Sequence, residues 1–425
     1  MESVMLIDFS VTNFRSIQKK QTFSFAAAKG SELAETNTFQ SPIAKLPNLV
    51  RSAVMYGANA SGKSNDLRAL GFMHFLVLNS FSALSEGQPI PVVPFILDPE
   101  SMKSPSEFEV TFIVDSVRYQ YGFAATQQRI HEEWLVAYPE GKPQRWFERI
   151  FDTKTASYEW QFSRSFIGQK EVIKTATRAN ALFLSTAIQL NNDHLKPVFN
   201  WFSGKLDVIL PGTNISLQFT IDQCASEHGK QGILSFLNAA DMSIANILFE
   251  KKAFDPAMVP PVLIPELRDK VIADMNGKKL TAVKFIHDSG TGRAVLDLNE
   301  ESQGTQKLFA FAGQWMDVLS RGRVLVIDEL DTSLHPLLVR HLVGLFHNPK
   351  TNPLNAQLLI STHDTTLLDP DIYRRDQIWF TEKDKLGATT LYSLSDFKPR
   401  KNEAFERGYL KGRYGAIPFI GEFFF

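Results

Sequence analysis

The clearest chemistry in the chain lies in Gly57-Ala58-Asn59-Ala60-Ser61-Gly62-Lys63-Ser64, a match to G-x-x-x-x-G-K-[ST]. The glycines let the backbone wrap closely, so that its amides point at phosphate oxygens. Lys63 has the length and charge to reach β- and γ-phosphates, and the Ser64 hydroxyl suits a Mg²⁺ ion. The expected nucleotide contacts are therefore Gly57, Asn59, Ser61, Gly62, Lys63, Ser64 and Asn65, with the positive end of a helix behind them. Asp66 falls in the first turn of that helix. An acid there suits the helix dipole but adds negative charge near a triphosphate, so it is expected to point to solvent.

Three further runs fit the same chemistry. Val324-Leu325-Val326-Ile327-Asp328-Glu329 has four apolar residues ending in two acids. A buried strand delivers carboxylates to its C-terminal edge in this way. Asp328 is expected to hold Mg²⁺, and Glu329 to orient and deprotonate an attacking water. Leu358-Leu359-Ile360-Ser361-Thr362-His363-Asp364 is a second such strand, and it delivers His363 to hydrogen-bond a γ-phosphate. Glu301-Ser302-Gln303-Gly304-Thr305-Gln306 precedes a helical stripe of Leu308, Phe309, Phe311, Ala312, Trp315, Met316 and Leu319. Ser302 and Gly304 then stand at a helix N-terminus, which is either anion-ready or simply capped.

These residues need a scaffold. Leu6 to Asn13 alternates and predicts a strand, with Gln21 to Phe25 closing a hairpin and Lys29 to Ser41 a loop. Ser52 to Tyr56 is a short apolar strand running into the glycine loop. Phe108, Val110 and Phe112 alternate with polar residues, and Trp134 to Tyr138 and Tyr158 to Phe162 read as further strands. From about residue 165 to 280 the spacing turns helical, with a break at Pro256, Pro260, Pro261 and Pro265. Strands return at Ala282 to His287 and Arg293 to Leu298. Arg323 to Ile327 and Gln357 to Ser361 are continuously apolar, as central strands of a parallel sheet are. The division read from this pattern is 1–165, an inserted helical region 166–280, and 281–425.

Bulk properties exclude several classes. The formal net charge of −1 gives no global field toward nucleic acid or membrane, so DNA contact would need a local patch. Cys224 is the only cysteine, which excludes an intrachain disulfide and cysteine-rich zinc sites and fits a reducing cytoplasm. The opening Met1-Glu2 runs into Asp8 without a basic segment before an apolar run, so no signal peptide is expected. Leu70 to Leu84 is too short and polar to span a bilayer and reads as a buried helix. Glu132-Glu133 and Asp193-His194 lack a second cluster and read as structural. Lys398, Arg400, Lys401, Arg407, Lys411 and Arg413 alternate with Phe397, Phe405, Tyr409 and Tyr414. Such interleaving can bind nucleic acid but more often makes a solvated face over a small core.

Phosphate loop, Ser-x-Gly element, Asp-Glu strand and histidine, in this order, resemble an ABC-type ATPase of the SMC/RecF/OLD group. The resemblance implies an α/β, P-loop NTPase fold with an N-terminal antiparallel β subdomain and an inserted, mainly helical subdomain. It implies ATP and Mg²⁺ as cofactors. It also implies that Ser302 and Gly304 contact the γ-phosphate held by an opposite subunit. Leu330-Asp331-Thr332-Ser333-Leu334-His335-Pro336 resembles the segment where two subunits touch, with Asp331 its acid. Asn13-Phe14-Arg15-Ser16 resembles the N-F-R-S element of the group, which would bring Arg15 near the nucleotide. The phosphate loop, the Asp328–Pro336 string and Gly412-Arg413-Tyr414-Gly415-Ala416-Ile417-Pro418 are similar to RloA/AbiLi-type phage-defence ATPases. Two features depart from that pattern. Asp66 stands where an aliphatic residue is usual, and no Q-loop is assigned, Gln88 and Gln120 being candidates.

What the resemblance implies for partners is a homodimer or higher homo-oligomer and a separate effector protein, such as a nuclease, with no membrane association. The alternative is a RecF/SMC-like DNA-repair ATPase, which needs a positive surface. An ATPase fused to a nuclease is not supported, since Asp364 to Phe425 is too short for a separate nuclease domain and lacks an acidic cluster.

Overall fold

Five short strands lie side by side and parallel. In spatial order they are Leu206–Ile209, Val324–Ile327, Gln357–Ser361, Ser52–Gly57 and Ile378–Lys383, with Thr389–Ser393 antiparallel at the edge. The middle three are buried at every position, so their hydrophobic runs do not alternate. The register pairs Ile327 with Ile360 and Ser361 with Met55. It therefore brings Gly57, Asp328 and Thr362 out at one carboxyl edge, where ligands bind in open α/β sheets.

The computed structural model describes residues 4–212, 216–240, 242–259, 264–277, 279–288, 290, 292–400 and 403–418. Met1, Glu2, Pro260, Pro261 and Lys401, which the sequence reading used, lie outside them. The chain divides into two compact units, Met1–Thr213 with Val318–Phe425, and Asn214–Asp317.

The first unit also holds a seven-stranded antiparallel sheet, from Ser157–Phe162 through Gln144–Asp152, Ile130–Tyr138, Val117–Ala125, Ser106–Val114 and Val4–Thr12 to Gln21–Ser24. The strand Ser106–Val114 alternates over most of its length: Phe108, Val110 and Phe112 face the core, while Glu107, Glu109 and Thr111 between them are less buried. The helix Lys63–Asn79 buries Leu67, Leu70, Met73, Leu76 and Val77 into the same core, at the spacing that lines one helix face. Leu70 to Leu84 is thus the buried helix expected, continued by a turn. Among the described residues no helix is long and apolar enough to cross a membrane.

The boundary of the second unit differs from the one read from sequence. Helices Lys170–Ala176, Phe183–Gln189 and Lys196–Lys205 belong to the first unit. Their apolar residues complete the antiparallel sheet's core, with Trp201 stacked on Phe112 at 4.2 Å between ring centroids. Periodicity marks a helix but not the surface it covers. The second unit joins helices Leu217–Gln223, Glu227–Ala239 and Pro265–Met275 to a sheet of Ile244–Ala253, Lys279–Asp288 and Arg293–Asp297. The last two strands follow the expected positions. Ile244–Ala253 falls inside the stretch read as helical, where its alternation is weak on a sheet with one solvated face.

Candidate functional site

The phosphate loop needs glycine at both ends for different reasons. Gly62 adopts φ 118°, and a side chain there would also meet the Thr389 hydroxyl at 2.1 Å. At Gly57 a Cβ would come within 2.4 Å of both the Ser61 and Thr381 hydroxyls. The helix that follows starts at Lys63 with Gly62 as its cap.

A chain of hydroxyls fixes this loop from outside. Thr389 Oγ1 donates to the Ser61 carbonyl at 2.8 Å and shares a hydrogen bond with Ser16 Oγ at 2.7 Å. Asn65 Nδ2 donates to Ser16 Oγ at 2.8 Å, and Ser61 Oγ pairs with Thr381 Oγ1 at 2.7 Å. Ser16, Thr381 and Thr389 were not singled out from sequence. Ser16 belongs to the Asn13-Phe14-Arg15-Ser16 element, but nothing in the local sequence marks the two threonines. Asn13 anchors the same element by donating to the carbonyls of Ser101 and Ser104 at 2.7 and 2.9 Å.

Lys63 is 5% exposed, and its ammonium donates to the Gly57 and Ala58 carbonyls at 2.7 and 3.3 Å. Burial lowers its proton affinity, while the charges of Asp328, Glu329 and Asp331 act the other way. His363 lies in the same field. Partial desolvation by the surrounding site and then the Lys63 charge lower its proton affinity, opposed by Asp331, Glu329 and Asp328. The sheet thus brings Lys63, Asp328, Glu329, Asp331 and His363 together at one edge.

Ser361 organises the acids. Its hydroxyl donates to Asp328 Oδ1 and accepts the Glu329 N–H at 2.8 Å. Glu329 is held in the left-handed region at φ 56°, a conformation uncommon outside glycine and asparagine and often found at functional positions. Asp331 Oδ2 accepts the His363 N–H at 3.2 Å. The other oxygens, Asp328 Oδ2 and Asp331 Oδ1, are buried without a hydrogen bond. Buried carboxylate oxygens left this way are costly unless a cation or donor meets them. With the glycine cradle and the Ser64 hydroxyl, this donor set fits a magnesium–triphosphate. Among the described residues no group of three or more His, Cys, Asp or Glu side chains gathers to hold a metal alone.

Other expected residues lie elsewhere. Arg15 sits at φ 52° beside Arg68, on an open cavity of about 520 Å³ shared with Phe14, Phe72 and Phe75. Burial and Arg68 lower its proton affinity. The link from its segment to the phosphate loop runs through Ser16. Ser302 and Gly304 belong to the second unit, where Ser302 Oγ accepts the Thr305 N–H at 3.1 Å and so caps the helix that runs Gln303–Arg321. Gln88 lies in a turn and accepts the Ser85 N–H at 3.1 Å. Gln120 lies within the antiparallel sheet and accepts the Tyr138 hydroxyl at 3.1 Å. Glu133 forms a fully buried ion pair with Arg149 at 2.9 Å, and the His194 ring lies tilted against Trp146 with 3.9 Å between centroids, so both have structural work.

Asp66 corrects an expectation. It does not face solvent: it is 5% exposed, beneath the helix and among Phe9, Val11, Phe23, Met55, Leu70 and Leu359. Helix position fixes this, since Asp66 lies on the stripe of Leu70 and Met73 rather than on the outer face. Burial pushes its carboxyl up to about 8. At neutral pH it carries a proton and adds no negative charge beside the loop. A carboxyl whose folded value is raised binds a proton that the unfolded chain has already lost. Stability from this group is therefore full below about pH 4 and falls as pH rises toward 8. The loss approaches the order of 4 kcal/mol at neutral pH. Asp66→Asn removes that titration. Thermal melts from pH 4 to 8 should show the variant gaining on the parent as pH rises; parallel curves would rule this out.

With this geometry in place, the family model described as "AAA domain, putative AbiEii toxin, Type IV TA system" matches residues 52–369. The chain belongs to this family. The match starts at the strand before the phosphate loop and ends just past His363, so it spans both the loop and the acids of the site. This meets the expectation of an AAA-family domain built around a phosphate loop. No curated protein matches the chain. Among solved structures, an SMC head bound to the C-winged-helix domain of ScpA aligns with a TM-score of 0.41 and 12% identity, over 93% of this chain and 99% of that one. The SMC head domain from Thermotoga maritima aligns with a TM-score of 0.39 and 12% identity, over 91% and 98%.

Proposed function

We propose that this chain hydrolyses ATP with Mg²⁺ at a site completed by a second copy. In this reading it serves as the sensor or regulator arm of a bacterial defence or toxin–antitoxin pair with a separate effector, akin to RloA/AbiLi-type proteins. The observation that supports turnover is the meeting of Lys63, Asp328, Glu329 and His363 over one glycine loop. The family description, which names a toxin–antitoxin system, supports the biological role.

A bound magnesium ion would neutralise phosphate charge and draw the leaving oxygens into line. Ser64 and Asp328 would hold it. The loop amides and Lys63 bind and orient the β- and γ-phosphates. Glu329 accepts a proton from the attacking water, and His363 hydrogen-bonds the γ-phosphate. Ser302 and Gly304 of one copy, at their helix N-terminus, suit the γ-phosphate held by another. Asp331 would lie at the seam between copies, while Arg15 is tied to the nucleotide loop only through its neighbour Ser16. Closure on ATP and release after hydrolysis is a two-state switch that an effector can read.

The test is to express the chain with the product of the adjacent gene. The expected result is Mg²⁺-dependent ATP turnover and a complex of fixed stoichiometry whose stability changes between ATP and ADP. Turnover with no protein partner, together with steeply salt-dependent DNA binding, would favour the DNA-repair alternative instead.

A further inference from the structure

Residues 403–418 reach the site at two points, both outside the motifs that carry the chemistry. The short helix Phe405–Leu410 provides them. At the first, Glu406 Oε1 accepts the Thr365 hydroxyl at 2.7 Å, and the Glu406 N–H donates to the Leu368 carbonyl at 3.0 Å. Thr365 is two residues beyond His363 and opens the one-turn helix Thr365–Leu367. At the second, the Tyr409 ring lies 5.8 Å from that of Tyr56 and stacks on Phe380 at 5.5 Å. Tyr56 immediately precedes Gly57, and its hydroxyl donates to the Asp364 carbonyl at 2.8 Å.

The segment closes on itself around these contacts. The Tyr409 hydroxyl donates to the Ala416 carbonyl at 3.0 Å, and the Tyr392 hydroxyl to that of Tyr414 at 2.9 Å. Ala416, Ile417 and Pro418 then face Ala58–Ser61 across a cavity of about 340 Å³. The aromatic stack is a small core and explains why Phe405, Tyr409 and Tyr414 are buried. It does not explain a carboxylate on the segment that follows His363.

We infer that Glu406 is a positioning residue for the nucleotide site, acting through Thr365 on the backbone that carries His363. This rests on the ATPase reading above. The His363 side chain is exposed, so packing does not fix it. Its backbone is held instead: by Asp331 at its own N–H, by Tyr56 at Asp364, and by Glu406 at Thr365. Releasing the Glu406 tether leaves the strand and the phosphate loop in place but loosens the group aimed at the γ-phosphate. Small misplacements of that kind lower the rate of the chemical step more than binding.

The experiment measures steady-state ATP turnover, affinity for a fluorescent ATP analogue, and melting temperature in the full chain. Glu406→Ala should lower kcat on the order of tenfold to a hundredfold, with KM, analogue affinity and melting temperature nearly unchanged. Glu406→Gln keeps a carbonyl acceptor for the Thr365 hydroxyl and should recover most of the rate. Thr365→Val should match Glu406→Ala, and the double variant should lose no more than either. Unchanged kcat in both single variants overturns the inference, as does a loss confined to melting temperature or a failure of Gln to rescue. A parent protein that neither binds nor hydrolyses ATP overturns the ATPase reading itself, and this inference with it.

Discussion

Glu329→Gln should slow ATP hydrolysis by roughly 10²- to 10⁴-fold, the range a positioned general base contributes, while leaving ATP binding intact. Three observations lead there. Glu329 follows the strand that ends beside the phosphate loop. Its N–H is fixed by Ser361, whose hydroxyl also binds Asp328. Its side chain is only partly buried, so water can reach it. The amide keeps the shape and the hydrogen-bonding oxygen but cannot take a proton. On the two-copy reading, ATP would then lock the closed state, and size-exclusion chromatography with ATP should show dimers that the parent forms only briefly. Full turnover in the variant would remove Glu329 from the mechanism.

Lys63→Ala should act earlier, on binding. Its ammonium is the positive charge among Asp328, Glu329 and Asp331. In its absence three carboxylates would face an incoming triphosphate unopposed. Loss of one partner from a buried, charged set costs about 3 kcal/mol or more, a hundredfold in affinity. Isothermal titration with a non-hydrolysable ATP analogue should show little or no binding. The melting temperature without nucleotide should change far less, since the ammonium caps only the loop's own carbonyls. Binding at parental strength would separate the loop from nucleotide recognition altogether.

The site was legible wherever chemistry and local sequence coincide. Gly57 to Ser64 names its own backbone shape, and four apolar residues ending in Asp328-Glu329 describe a buried strand and what it carries. His363 followed by the same logic. The partners that hold these residues were not legible, because they come from far along the chain and are ordinary residues. Ser16 meets Thr389, and Glu406 meets Thr365, only once the parallel and antiparallel sheets are built. Asp66 shows the limit from another side. Its type suggested solvent, but its place on the helix stripe decided its burial, and the burial then decided its charge. The division of the chain was misplaced near residue 166 for a related reason. Helices 170–205 look like those of the second unit by spacing, and only the sheet under them shows to which unit they belong.

The hydroxyl chain around the glycine loop also bears on how the protein is made. Ser16 and Thr389 are separated by most of the polypeptide, yet both brace the same turn. A ribosome exposes the complete glycine motif long before residue 389 emerges. Until then the turn lacks one side of its brace, and pairings of such long sequence separation form late. Unfinished chains would therefore expose a loop of the right composition that is not yet shaped to hold ATP.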